Sequence, residues 1–173
     1  QYSRRTDTPY LGICLGMQIA VIEFARNTLG LSDANSREFD ENSRNKVIDF
    51  MPGQNDDIDK GGTLRLGSYP CVVAGGTLLE KCYGKSVISE RHRHRYEFNN
   101  EYRERMTAAG LVIGGTSPDG RLVETIELPE NTFYIGVQFH PEFKSRPNRP
   151  HPLFKGLISA SIARREKHEY GDE

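Results

Sequence analysis

One cysteine flanked by two glycines constrains this chain more than any other feature. The segment Gly12-Ile13-Cys14-Leu15-Gly16 follows a short apolar run and precedes a helical pattern, so it marks a strand that turns sharply into a helix. Such a turn needs small residues where the backbone approaches itself, and it pushes the central side chain out above the sheet edge. The positive end of the helix lowers the pKa of a thiol placed there. The segment therefore predicts a nucleophile elbow, although a buried structural cysteine beside a tight turn fits it equally well.

Composition and charge limit the classes of protein to which the chain can belong. Its 173 residues are enough to bury one core, and 36% hydrophobic and 27% charged residues are typical of a globular domain. The net charge of -1 gives no reason to expect nucleic acid or an anionic membrane as a partner. Every apolar run is shorter than the roughly 18 residues of a membrane-spanning helix. Because Cys14, Cys71 and Cys82 are too few for a disulfide framework, we expect a cytoplasmic protein.

Short strand patterns alternate with helical patterns along the chain. The predicted helices cover residues 15–29, 77–83, 99–109 and 152–163, and the predicted strands cover residues 47–51, 63–67, 70–74, 86–90, 111–115, 122–128 and 133–137. This alternation predicts an α/β fold, and two hairpin-like pairs predict antiparallel strands added to a parallel core. The acidic, glycine-containing residues 54–62 are predicted to form a dispensable surface loop, and residues 164–173 a charged tail.

A histidine and a glutamate two residues apart follow the last predicted strand. A cysteine nucleophile needs a base that takes its proton, and His140 and Glu142 supply a base and a group that orients it. In extended backbone, residues two apart point the same way, and Pro141 between them stiffens the chain. Catalytic groups also cluster at the carboxyl ends of strands in α/β sheets. On its own, the pair is more typical of a solvated surface loop; combined with the elbow, it predicts a Cys14–His140–Glu142 triad.

Taken together, the two motifs resemble those of the class I (triad) glutamine amidotransferases. The resemblance rests on Gly12-Ile13-Cys14-Leu15-Gly16-Met17-Gln18 and on Phe139-His140-Pro141-Glu142. The chain is also similar to one subfamily, at residues 35–39, 64–67, 90–97 and 139–147. In that subfamily, a synthetase domain uses ATP and the released ammonia to aminate UTP to CTP. The resemblance covers residues 9–163. It implies a flavodoxin-like domain with three layers, in which helices flank an open, mixed and mainly parallel sheet.

The resemblance also implies roles for individual residues. Cys14 would attack the side-chain amide of L-glutamine and form a thioester, His140 would transfer protons, and Glu142 would orient His140. Substrate contacts are implied for Leu15, Gly16, Met17, Gln18, Glu38 and Arg95. Among these, the Leu15 N–H belongs to the oxyanion hole, while Glu38 and Arg95 suit the α-ammonium and the α-carboxylate. Without the resemblance, ordinary roles are favoured: Gln18 as a packed polar helix residue, Glu38 as a solvated loop charge, and Arg95 as one of many strand charges.

The same resemblance sets expectations about cofactors and partners. It implies no cofactor and no metal in this domain, with ATP, Mg²⁺ and UTP on the synthetase domain of the same polypeptide and GTP as an effector. It implies a homo-tetramer for the full enzyme. The second oxyanion donor would come from a glycine-rich loop upstream of the elbow, and residues 1–11 contain no such loop. We therefore expect residues 1–163 to be a glutaminase domain without its N-terminal part.

The run Arg91-His92-Arg93-His94-Arg95 allows other interpretations. His92 and His94 share a face, but two ligands from one strand make a poor zinc site. A basic run that contacts the synthetase domain or its nucleotides, or a solvated edge strand, fits the pattern better than nucleic-acid binding does. For the chain as a whole, the alternatives are another class I amidotransferase, a γ-glutamyl hydrolase, or a regulatory or assembly domain without catalysis.

Overall fold

The structure is a computed structural model that describes residues 1–50 and 65–170. The helices are α1 (Tyr2–Thr6), α2 (Leu15–Asn27), α3 (Leu78–Tyr83), α4 (Arg103–Ala108) and α5 (Pro152–Tyr170), with 3-10 turns at Asn100–Tyr102 and Pro141–Phe143. The strands are β1 (Tyr10–Ile13), β2 (Asn35–Ser36), β3 (Lys46–Phe50), β4 (Arg65–Val73), β5 (Val87–His94), β6 (Tyr96–Phe98), β7 (Val112–Thr116), β8 (Val123–Glu127) and β9 (Tyr134–Val137). The loop predicted at residues 54–62 lies outside the described residues.

The strands form a mixed main sheet and a smaller second one, which confirms the predicted α/β class. The main sheet has the order β1-β9-β8-β7-β4-β5, and the second sheet has the order β2-β3-β6. In the main sheet β1 and β9 run parallel, whereas the other four neighbouring pairs are antiparallel. The described strands therefore correct the expectation of a mainly parallel sheet. Short connections such as those between β7, β8 and β9 allow hairpins but leave no room for a parallel crossover.

Strand β4 corrects a second prediction. The sequence pattern of residues 63–67 and 70–74 predicts two strands around a turn. Instead, β4 is one strand of nine residues, and it pairs with β5 from Arg65 to Val72. Its other side pairs with β7 only at Val72 and Val73. Proline is tolerated at position 70 because one edge of β4 is not paired with another described strand at that residue.

Apolar side chains pack on both faces of the main sheet. Helix α2 covers one face, where Met17, Val21 and Ile126 are buried together. Helices α3 and α5 contribute Leu79 and Leu153 to the core on the opposite face, which also contains Phe139. Neighbouring residues of β9 point into different cores, so the sheet is the middle of three layers, as predicted.

The last helix is longer than the sequence predicted. Helix α5 continues to Tyr170, through residues that were expected to begin a charged tail after Ala163. The Arg164 guanidinium donates hydrogen bonds to the backbone oxygens of Thr6 and Asp7, at 3.1 Å each, and these contacts hold the helix against the start of the chain. No helix within residues 1–50 or 65–170 is both long and apolar enough to span a bilayer.

Candidate active site

The predicted elbow joins β1 to α2. Cys14 has φ 49° and ψ -101°, a conformation that non-glycine residues rarely adopt. Gly12 makes the turn possible, since a Cβ at that position would lie 2.7 Å from the backbone carbon of Gly16. The Tyr10 hydroxyl donates a hydrogen bond of 2.7 Å to the Gly16 carbonyl oxygen. The segment therefore holds Cys14 at the tip of a strained strand-to-helix turn, as the glycine spacing predicted.

The parallel pairing of β1 and β9 brings the two motifs to one edge of the sheet. Ile13 lies opposite Val137, and the Cys14 N–H donates a 2.7 Å hydrogen bond to the Val137 carbonyl oxygen. His140 follows three residues later. Its Nδ1 lies 2.6 Å from Oε1 of Glu142, while its Nε2 is buried and has no hydrogen-bond partner among the described residues. The carboxylate thus fixes one side of the imidazole and leaves the other available to a reacting group.

Contacts with β5 hold the segment that carries His140. The His140 N–H donates a 2.8 Å hydrogen bond to the Arg91 carbonyl oxygen. Beyond the 3-10 turn, the Lys144 ammonium lies 3.2 Å from the buried Glu90 carboxylate, which also accepts a hydrogen bond of 3.1 Å from the Tyr83 hydroxyl. These contacts tie the segment to the sheet on both sides of Glu142, and so restrict the rotation of the imidazole.

The electrostatics of Cys14 differ from the expectation drawn from the elbow alone. Burial is the largest influence and raises the pKa of the Cys14 thiol above its ordinary value, and the negative charges of Glu142 and Glu97 raise it further. Hydrogen bonds from the Leu15 N–H and the Gln138 amide lower the pKa but do not offset burial. The predicted lowering of this pKa is therefore wrong for the free protein, because a desolvated thiol resists ionisation. The thiolate has to form by proton transfer to a base.

A pocket of about 420 Å³ opens beside the elbow. Its walls bring together five of the residues that the sequence singled out: Cys14, Leu15, Gln18, Glu38 and Arg95. Arg93, His94 and Tyr96 complete the lining. Glu38 lies exposed at the pocket, whereas Gln18 is almost fully buried. The pocket is large enough for a free amino acid and carries groups of both charges.

Gly16 and Met17 lie on the elbow but do not line the pocket. The Met17 side chain is fully buried in the core beneath α2, so the backbone is the part of this residue that faces the turn. The Gly16 carbonyl oxygen already accepts the hydrogen bond from Tyr10. Their assignment as substrate contacts therefore stays a prediction, and it is restricted to backbone atoms.

Gln138 is a site residue that the sequence reasoning missed. Its side chain is fully buried, and its Nε2 lies 3.6 Å from Sγ of Cys14. The sequence carried one signal, because an amide at the end of a strand of apolar residues needs buried hydrogen-bond partners. The partner, Gln18, is distant in the sequence and becomes visible only in the fold, where its Nε2 donates to Oε1 of Gln138 at 3.2 Å.

Behind the pocket lies a group of buried charged residues, here called the charge cluster: Arg65, His92, His94, Glu97 and Glu124. Arg65 donates two hydrogen bonds to the Glu124 carboxylate and lies 3.5 Å from Oε1 of Glu97. Burial raises the pKa of Glu97 to about 8, since one guanidinium already paired with Glu124 does not balance a second carboxylate.

The two histidines of the charge cluster bond to each other. Nδ1 of His92 lies 2.8 Å from Nε2 of His94. Burial, together with the positive charge of Arg65, lowers the pKa of His92 to about 2 and that of His94 to about 3, so both rings are neutral. Within the described part of the chain, no group of three or more His, Cys, Asp and Glu side chains is arranged to hold a metal ion.

Known proteins are similar to this chain in sequence and in fold. A CTP synthase of Staphylococcus saprophyticus is 59% identical over 162 residues, and one of Carboxydothermus hydrogenoformans is 62% identical over 162 residues. Both matches cover 94% of this chain and 30% of the relative, so the chain spans less than a third of the length of these relatives.

A solved structure matches the fold closely. The glutaminase domain of a Trypanosoma brucei CTP synthase with bound acivicin superposes with a TM-score of 0.87 at 38% identity, over 93% of this chain and 62% of that chain. A Thermoplasma acidophilum protein whose description names GMP synthase has a TM-score of 0.59 at 17% identity, over 97% of this chain and 64% of that chain, which shows the shared fold alone. The sequence model of the family described as glutamine amidotransferase class-I matches residues 1–160. The chain therefore belongs to the class I glutamine amidotransferase family.

Proposed function

We propose that this chain is the glutaminase domain of a CTP synthase and that it releases ammonia from L-glutamine through Cys14, His140 and Glu142. One observation carries the proposal: a cysteine on a strained elbow, which lines a pocket large enough for an amino acid, lies at the same edge of the sheet as a carboxylate-bound histidine. The identity of about 60% to CTP synthases supports the choice of this subfamily.

The proposed reaction starts from Cys14 as a neutral thiol, because burial raises its pKa. His140 takes the Cys14 proton on Nε2, the nitrogen that has no partner in the described structure. The thiolate then attacks the side-chain amide carbon of glutamine. The developing oxyanion is met by the Leu15 N–H, a type of donor worth about 10²–10³ in rate. His140 returns the proton to the departing nitrogen, which leaves as ammonia, and next activates the water that hydrolyses the thioester to glutamate.

The pocket supplies groups for both ends of the substrate. In the proposal, the exposed Glu38 carboxylate binds the α-ammonium and the Arg95 guanidinium binds the α-carboxylate in a forked geometry. Gln18 closes the inner wall. Leu15, Gly16 and Met17 contribute backbone atoms along the elbow.

The wider activity rests on the longer relatives. In the proposal, ammonia passes to a synthetase domain of the same polypeptide, which binds ATP, Mg²⁺ and UTP and forms CTP, with GTP as an effector and a tetramer as the assembly. The similarity to CTP synthases supports this scheme. His94 of the charge cluster and the exposed Arg93 of β5 both line the pocket.

Covalent labelling tests the proposed function directly. The protein is treated with acivicin, the compound bound in the related Trypanosoma brucei domain, and the adduct is located by intact and peptide mass. We expect one adduct on Cys14, slowed by excess glutamine and absent from Cys14→Ala. The buried Cys71 and the half-buried Cys82 serve as internal references.

Labelling without selectivity for Cys14 contradicts the proposal. A second arm repeats the experiment on a chain of the length of the curated CTP synthases. Labelling that appears only there assigns the pocket to the longer protein, and failure in both arms rejects the triad. Release of glutamate without CTP formation in the longer protein, when ATP and UTP are supplied, favours another class I amidotransferase.

A further inference from the structure

We propose that Gln138 is a further catalytic residue of this site: its side-chain amide donates a hydrogen bond to Sγ of Cys14 and stabilises the thiolate, and Gln18 and the Tyr96 carbonyl orient that amide. The inference rests on the proposed function in treating Cys14 as the nucleophile. The contact itself is present in the free structure, where Nε2 of Gln138 lies 3.6 Å from the sulfur.

The orientation of the Gln138 amide follows from a chain of donors and acceptors. The Tyr96 carbonyl oxygen has lone pairs only, so the group that Gln18 presents to it at 3.1 Å is the NH₂. The second N–H of that NH₂ donates to Gln138 at 3.2 Å, which requires the Gln138 oxygen to face Gln18. The Gln138 NH₂ is then left on the opposite side, toward Cys14. A backbone carbonyl thus determines which end of a distant amide meets the sulfur.

The surroundings of Gln138 indicate that its contact with Cys14 does more than fill space in the core. Gln138 is fully buried, so water cannot replace its amide as a donor. A neutral thiol is a weak acceptor, whereas a thiolate carries a full negative charge, and hydrogen bonds to charged acceptors are about twice as strong as neutral ones. The contact therefore strengthens when the proton moves from Cys14 to His140, and it favours the reactive state over the resting state. Gln138 keeps both of its own protons throughout.

Gln138 favours the Cys14 thiolate, whereas several other groups around the sulfur disfavour it. Burial and the charges of Glu97 and Glu142 oppose the thiolate, while the Leu15 N–H and the Gln138 amide favour it. The remaining ionisable groups of the pocket are Glu38, Arg93, His94, Arg95 and Tyr96, and in the proposal His140 receives the proton. Of the two donors, the Leu15 N–H is also required for the oxyanion. Gln138 is then the donor that stays with the sulfur.

The test measures the alkylation of Cys14 by iodoacetamide as a function of pH, a reaction in which the S–C bond forms as iodide leaves. The alkylation needs no glutamine, so its result does not depend on the glutaminase proposal. We expect Gln138→Met, which keeps the shape and removes the donor, to raise the apparent pKa of Cys14 by about one unit and to slow alkylation below that pKa about tenfold. Gln138→Glu, which places an anion there, should raise the pKa further. Cys82 is the internal reference in every sample.

Two further measurements separate the proposed role from a structural one. In the wild-type protein, the side-chain amide signal of Gln138 in NMR spectra should shift with the same pKa as Cys14, and the shift should vanish in Cys14→Ser. For glutamine hydrolysis, Gln138→Met should lower kcat with little change in KM. A pH profile of Cys14 that is the same in wild type and both variants overturns the proposal. If Gln138→Met unfolds, all of its cysteines react at equal rates, and the NMR measurement on the wild-type protein decides. A Gln138 amide signal that does not shift through the Cys14 titration then overturns the proposal.

Discussion

Two of the regions in which histidines meet glutamates have opposite outcomes. At the sheet edge, His140 is partly exposed, bonds to Glu142 at 2.6 Å through one nitrogen, and leaves the other nitrogen unpaired among the described residues. In the charge cluster, His92 and His94 are buried, bond to each other at 2.8 Å, and are kept neutral. The same two residue types thus form the proposed proton carrier in one place and a buried structural support in the other.

The difference lies in solvent access and in where the positive charge sits. In the charge cluster, Arg65 supplies a permanent cation, and burial penalises any further charge on the rings. At the sheet edge, the imidazole of His140 is bonded to the Glu142 carboxylate instead of to a second histidine. In the proposed mechanism, this anion stabilises the imidazolium that forms when His140 takes the Cys14 proton. Four predictions test this contrast, beginning with the largest expected effect.

Removing either the proposed nucleophile or the proposed base should abolish glutamine hydrolysis. We expect Cys14→Ala and His140→Asn each to lower kcat by about 10⁴-fold or more, because nucleophile and base act as one unit. The measurement is glutamate release, with Cys82→Ala as the matched cysteine control outside the pocket. Activity of His140→Asn within about tenfold of wild type would mean that another base serves Cys14.

Removing the cation of the charge cluster should affect stability most. Arg65→Met leaves Glu124 buried without its partner, and we expect the free energy of unfolding to fall by about 3–5 kcal/mol. Urea unfolding followed by circular dichroism measures this change. The control is Arg121→Met, which breaks the exposed pair with Asp119 and should cost about 0.5 kcal/mol or less. Equal losses in the two variants would contradict the structural role of the cluster.

Weakening the carboxylate that holds His140 should have an intermediate effect on catalysis. Glu142→Gln keeps an oxygen that accepts a hydrogen bond from Nδ1 but removes the charge that stabilises the imidazolium. We expect kcat to fall by about 10²-fold while the adduct with acivicin still forms on Cys14, more slowly. Unchanged turnover would show that geometry alone, without the negative charge, orients the base.

The smallest predicted effect concerns the pH dependence of the free energy of unfolding, to which individual residues of the charge cluster contribute. The Glu97 carboxyl has a pKa of about 8 in the folded chain against an ordinary 4.5, so unfolding releases its proton between these values and stability decreases as the pH rises. His92 and His94 have lowered pKa values, so unfolding takes up protons below pH 6.5 and stability decreases as the pH falls. The cluster therefore favours a stability maximum near pH 6.5.

The variant Glu97→Gln isolates one side of this maximum. It should remove a slope of about 1.4 kcal/mol per pH unit above the maximum and leave the decline on the acid side. Urea unfolding at several pH values compares the variant with wild type. If the difference between them does not vary with pH, Glu97 is already ionised in the folded protein, and Arg65 balances both carboxylates.

What could be predicted from the sequence was set by local geometry. The glycines around Cys14 fix a turn through contacts within five residues, and the interval between His140 and Glu142 fixes their hydrogen bond through three. Helix α3 was predicted for the same reason, since Thr77 caps its start and Gly84 ends it in the left-handed conformation. These features depend on neighbours in the chain, which the sequence displays directly.

What only the tertiary structure decided involves residues far apart in the chain. Gln138 faces Cys14 because Gln18 and the Tyr96 carbonyl orient it, and no spacing in the sequence relates these residues. The pKa of Cys14 is raised rather than lowered because burial, a property of the whole packed domain, outweighs the nearby hydrogen-bond donors. Local spacing identified the residues proposed to react, whereas burial in the packed domain determined the direction in which the pKa of Cys14 shifts.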